Sequence, residues 1–151
     1  MEINFYQIDQ IDQTAIANLA HKILKLKKRL LIFGKDQELL KQIDDKMWSF
    51  SKTKFLPHAT KWEIAENKNC KLIDQPIFIT NEELEDDFQQ LIKFSPVTIE
   101  FAQKFEKIFY FFYSQNIEIV KEFYTKITTT NNCKINIYRK NQNKWISDTK
   151  L

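Results

Sequence analysis

Two histidines, two cysteines and one run of carboxylates are the residues here best suited to chemistry, and their spacing joins none of them into a reactive set. Structural zinc needs paired ligands at short spacing, and His21 and His58 are not so paired. Cys70 and Cys133 lie far apart, and no histidine stands near Cys70 in sequence. Inert thiols are the simplest reading, with neither a disulfide framework nor an activated nucleophile expected. Glu82, Glu83, Glu85, Asp86 and Asp87 read as the solvated start of a helix, where acids complement the dipole, rather than a metal cage. Gly34 is the one glycine, and Lys35-Asp36-Gln37 after it put an acid where a phosphate would sit. Dinucleotide and triphosphate loops need several glycines for close backbone approach. No Gly-x-Ser-x-Gly elbow is present. No catalytic constellation, metal or cofactor is expected, and the protein reads as a binder.

Three stretches suit binding. Ile117, Lys121, Tyr124 and Thr128 fall at i, i+4, i+7 and i+11 on one helical face. A cation beside an aromatic and an aliphatic suits an acidic peptide that ends in a hydrophobic residue. Spacing alone favours the plainer reading, with Ile117 and Tyr124 in the core and Lys121 snorkelling. Tyr138, Arg139, Lys140, Lys144 and Trp145 interleave aromatics with cations, as single-stranded nucleic acid would want. An edge hairpin guarded by Lys and Arg fits them equally well. The third stretch, Met47 to His58, holds Trp48, Phe50, Phe55 and Leu56 in what reads as a connector. Connectors are usually polar, so these groups either fold back on the core or anchor a partner.

The elements that must position these residues alternate between strand and helix. Glu2 to Ile8 reads as a strand, and Asp12 caps a helix over Thr14 to Lys27 with Ile16, Leu19, Ala20 and Ile23 inward. Arg29 to Phe33 reads as a strand buried on both faces. Asp36 caps the next helix, with Leu39, Leu40, Ile43 and Met47 inward. Thr60 to Asp74 reads as a surface loop tacked down by Trp62 and Ile64. A strand follows at Ile77 to Thr80, then a helix capped by Asn81 with Leu84, Phe88, Leu91 and Ile92 inward. A buried strand is expected at Lys107 to Phe112, and a last helix, capped by Ser114, over Gln115 to Thr128. Lys134 to Arg139 and Trp145-Ile146, joined by a turn at Asn141 to Lys144, suggest a terminal hairpin. The fold expected is a three-layer α/β, Rossmann-like domain: a mostly parallel central sheet, a C-terminal edge hairpin and no nucleotide-binding glycine loop.

At 151 residues the chain is expected to form a single domain, 1–151, long enough to bury a core. Thirteen phenylalanines make it rich in aromatic rings, while a net charge of +3 does not by itself demand nucleic acid. The start shows no signal-peptide pattern, and no stretch approaches the roughly 20 apolar residues of a spanning helix. A cytoplasmic protein without membrane contact is therefore expected.

Met47-Trp48 closing a helix, a short spacer and then Phe55-Leu56-Pro57-His58 resemble the chi subunit of bacterial DNA polymerase III. The strands Phe5-Tyr6-Gln7-Ile8 and Gln75-Pro76-Ile77-Phe78-Ile79-Thr80 stand where that family has its own, so the likeness runs along almost the whole chain. The resemblance implies a non-enzymatic subunit. It would bridge the clamp loader, through the psi subunit, to the acidic C-terminal tail of single-stranded-DNA-binding protein, with DNA as an indirect partner. It implies that Trp48 and Phe55 face psi, or a helicase competing for that patch, and that Lys121 and Tyr124 hold the tail. Here the sequence departs from the family in three places. Ile117 stands where a lysine is expected, leaving Lys126 as the nearby cation. Lys121 replaces the usual Arg and loses its bidentate fork. Asn143 takes the place of a turn glycine in a hairpin, Tyr138 to Trp145, that resembles that of some members. Direct single-strand binding, or an enzyme on a degenerate Rossmann-like scaffold, are the alternative functions.

Overall fold

The computed structural model describes residues 1–50, 56–67 and 71–151, without the side chain of Ile73. Phe55 and Cys70 lie outside the described residues. The fold is mixed α/β around an open eight-stranded sheet. In chain order its elements are β1 (Glu2–Ile8), α1 (Gln13–Lys25), β2 (Leu30–Phe33), α2 (Gln37–Trp48), β3 (His58–Thr60), α3 (Lys61–Glu66), β4 (Ile77–Thr80), β5 (Gln90–Lys93), α4 (Ile99–Ala102), β6 (Lys107–Tyr113), α5 (Ile117–Thr130), β7 (Lys134–Asn141) and β8 (Lys144–Asp148). The strand order is β3-β4-β2-β5-β6-β1-β7-β8. β1 runs parallel to β6 and β7, and β4 parallel to β2 and β3. The last pair, β7–β8, is the antiparallel hairpin. The chain divides into two compact units, Asp12–Gln90 and Met1–Ile11 with Leu91–Leu151.

In the first unit β2 and β4 bury every residue, as strands covered on both faces must. Asp12 and Asp36 cap α1 and α2 as their types predict, each accepting from two backbone N–H groups. The buried stripes are Ile16, Ala17, Ala20 and Ile23 on α1, and Leu40, Ile43 and Met47 on α2.

Here the structure corrects three expectations. The segment from Thr60 is not a loop at its start. His58–Thr60 pairs with β4, and Thr60 then caps α3 by accepting from Glu63 N–H. No helix follows Asn81 either. Residues 81–89 are irregular, and Gln90–Lys93 is a fully buried strand. Five acids within six residues would repel one another along a helix face. Arg29 fixes the irregular path instead: its guanidinium binds the carbonyls of Leu72, Gln75 and Asp87 and the Asp86 carboxylate, and lies 4.2 Å from the centroid of the Phe88 ring. Leu91 and Ile92 are core residues of a strand, not of a helix.

The third correction lies in the second unit. Ser114 does not cap α5; it belongs to a short 3-10 turn, and its hydroxyl accepts from Gln7 Nε2 at 2.7 Å. Asn116 stands at the cap without a side-chain bond. The core of this unit is aromatic. Phe5 on β1, Tyr110 on β6 and Phe123 on α5 pack with centroids 5.6–6.4 Å apart. Lys93 ends within this cluster, entirely buried. At the tip of the hairpin Gln142 and Asn143 take positive φ, 46° and 66°. Two such residues suit the tight primed turns of two-residue hairpins.

Candidate functional site

α5 faces the core through Val120, Phe123 and Ile127, spaced i, i+3, i+7. Its C-terminal half is rich in β-branched threonine, a weak helix former. The hydroxyls of Thr125, Thr128, Thr129 and Thr130 each return to the carbonyl four residues back, at 2.7–3.1 Å. The face beside the core stripe carries Ile117, Lys121, Tyr124 and Thr128. Ile117, Tyr124 and Thr128 are half-buried, and Lys121 is 48% exposed. Tyr124 rests 5.9 Å from the Phe5 ring. Among the described residues the ammonium of Lys121 has one carboxylate near it, Glu118 at 3.9 Å, itself 84% exposed. Such a pair is screened by water and holds the cation loosely. The result is an exposed, loosely paired cation beside an apolar ledge made by Ile117 and Tyr124.

Lys126 is not brought to that ledge. It lies about 200° round the helix from Tyr124, and hydrogen-bonds Glu122 at 2.6 Å. With Ile119, Glu122 and Phe123 it borders a groove of about 390 Å³ whose other wall is Pro96 to Glu100.

The second surface is the end of α2. Trp48 is 54% exposed, and its ring centroid stands 4.6 Å from that of His58 on β3. Asp44, one turn earlier on α2, reaches His58 Nε2 at 2.9 Å, while Nδ1 faces the Leu56 carbonyl at 2.5 Å. Both ring nitrogens thus face acceptors, and both are satisfied only if each carries a proton. Burial pulls the histidine pKa down. The Asp44 and Leu56 hydrogen bonds and the charges of Asp44 and Glu63 outweigh it and leave the pKa raised. Glu63 on α3 is raised as well, first by burial and then by the Asp44 charge. Both ring nitrogens are engaged within the fold, so this His–Asp pair is built as a buried strut under Trp48.

Sequence reading missed this strut and the burial of Lys93. No local pattern ties His58 to its partner Asp44, which lies 14 positions earlier on another element. Lys93 fell beside an expected helix. The run Leu91-Ile92-Lys93-Phe94, between Asp86-Asp87 and Ser95-Pro96, was the signal that a buried strand passed there.

Among the described residues no group of three or more His, Cys, Asp or Glu is placed to hold a metal ion. Among them, too, no helix is long and apolar enough to cross a membrane. The family model for the DNA polymerase III chi subunit, HolC, matches residues 1–130. The chain belongs to that family. No curated protein matches it. Membership gives the protein an accessory role with DNA polymerase III in DNA replication. The matched span contains both surfaces described above and ends with the last residue of α5; β7 and β8 lie beyond it.

Proposed function

We propose that this chi-family protein is a non-catalytic tether. It holds the clamp-loader complex, through the psi subunit, to the acidic C-terminal tail of single-stranded-DNA-binding protein. The observation that carries the reading is the exposed Lys121 ammonium beside half-buried Ile117 and Tyr124 on one face of α5. Lys121 meets the terminal carboxylate as a point charge, and the ledge takes the last apolar side chain. Lys126, on another flank of the helix, adds attraction for the acids upstream in the tail. Trp48, half-exposed at the end of α2, anchors the psi surface, and Phe55 joins it in that role. Two weak contacts on one cytoplasmic subunit raise the effective concentration of each partner near the other.

Calorimetric titration with an acidic peptide ending in Pro-Phe tests the tail site. We expect micromolar binding, lost when the peptide is amidated and weakened at least tenfold by Lys121→Glu. Unchanged affinity in that variant sinks the assignment. Trp48→Ala should abolish psi binding while leaving the peptide titration intact; a folded variant that still binds psi removes Trp48 from the interface.

A further inference from the structure

The formal charge of the chain is unevenly spread. Residues 134–151 hold five cations and one carboxylate, whereas residues 1–133 hold 18 cations and 19 carboxylates. The net positive charge therefore resides in the hairpin and the three residues after it. Of the cations there, Arg139 is tied to Asp148 at 2.6 Å. Lys140 and Lys144 have no carboxylate partner among the described residues.

The same hairpin continues a row of aromatic rings. Strand register puts Phe111, Tyr6 and Tyr138 side by side on one face of the sheet. Their rings stack in order, with Tyr6 4.7 Å from Phe111 and 5.1 Å from Tyr138. Trp145 on β8 points to the same face, because it pairs with Lys140, two residues from Tyr138. Its ring lies 5.1 Å from Tyr6 but is turned by 73°, so it stands edge-on against the middle ring of the row instead of extending it. It remains 41% exposed, and Lys140 Nζ stands 5.8 Å from its centroid. Ile146, on the opposite face of β8, is also exposed.

We infer that the β7–β8 hairpin is a contact site for single-stranded DNA, with bases stacking on Trp145 and Tyr138, backbone phosphates meeting Lys140 on that face, and Lys144, which the register sets on the Ile146 face, reached round the edge of β8. Exposed aromatic faces flanked by cations are how proteins hold single strands without reading sequence. An acidic peptide shares the charge but brings at most a terminal ring to this row, whereas a single strand offers a flat base at every position. The site is separate from the tail-binding face and does not depend on it.

Fluorescence anisotropy of a labelled short oligothymidylate, titrated with the full chain at low salt, tests the site. Wild type should bind, with log affinity falling against log salt by about 0.7 for each phosphate neutralised. Trp145→Ala should weaken binding by about fivefold or more, the loss of one stacked base, whereas Trp145→Phe should retain most of it. Changing Lys140 and Lys144 together to Gln should flatten the salt slope. Lys121→Glu should leave oligonucleotide binding unchanged, which separates this site from the tail groove. Three results overturn the inference. One is no binding by wild type. Another is equal binding by Trp145→Ala, which leaves Lys140 and Lys144 as guards of an edge strand. The third is displacement of the oligonucleotide by the acidic peptide from wild type and Lys121→Glu alike, which assigns the hairpin to peptides.

Discussion

His58 and Lys93 are both basic side chains removed from water, one in each compact unit, and their surroundings treat them in opposite ways. His58 ends between two oxygens, and its pKa is raised. Lys93 Nζ has no hydrogen-bond partner among the described residues and lies on aromatic faces, 2.9 Å from the Tyr110 centroid and 4.4 Å from that of Phe123. That placement suits a cation over a ring. Two ring faces do not replace the water that an ammonium loses, however, and burial drives the Lys93 pKa well down. Burial thus favours the neutral amine. It favours the neutral phenol of Tyr110 as well, pushing that pKa up to about 12. The pair of sites teaches that depth alone does not discharge a buried base. What decides is whether acceptors are aimed at its protons.

The largest effect should come from breaking the strut. Asp44→Ala leaves His58 buried with one acceptor fewer, and loss of one member of a buried pair costs roughly 3 kcal/mol. Chemical denaturation should show that loss; a midpoint near wild type would mean that water replaces the carboxylate and that the strut is not one. The opposite sign is expected in the aromatic core. Lys93→Met removes an amine without acceptors and keeps the length of the side chain. It should stabilise the protein by about 1–2 kcal/mol, since an unsatisfied buried polar group costs that much. A destabilised Lys93→Met would show that the ring contacts outweigh the lost hydration.

Both sites lie where sequence reading was weakest, for one reason. Caps and stripes are local: Asp12, Asp36, the buried run Leu30–Phe33 and the positions of Ile117, Lys121 and Tyr124 all follow from spacing within one element. The strut joins α2 to β3, and the Arg29 hub joins β2 to segments more than 40 residues away. No periodicity encodes such partners. The acidic run after Asn81 shows the same limit from the other side. Its cap and acids fit a helix start, yet Arg29 and the sheet claimed the segment, and Leu91 and Ile92 went into β5. The α5 face carrying Ile117, Lys121 and Tyr124 was legible as a row of positions. That Lys126 stands away from it needed only the helical repeat, but its engagement with Glu122 and the groove beside Pro96 needed the fold.

The gentlest way to sharpen the contrast is to titrate stability against pH. His58 binds its proton more tightly folded than unfolded. Its contribution is therefore complete below the ordinary histidine value of 6.5 and is lost as pH rises through the raised folded value. Lys93 binds its proton less tightly folded. Between its depressed folded value and 10.5 the unfolded chain holds the extra proton, so stability gains as pH rises across that window. The two contributions run in opposite directions, and single variants separate them. Subtracting the His58→Asn profile from wild type should leave a fall that begins near neutrality. Subtracting the Lys93→Met profile should leave a rise that ends near 10.5. A flat difference for Lys93→Met would mean that its ammonium stays charged inside the aromatic core, and the contrast between the two sites would then disappear.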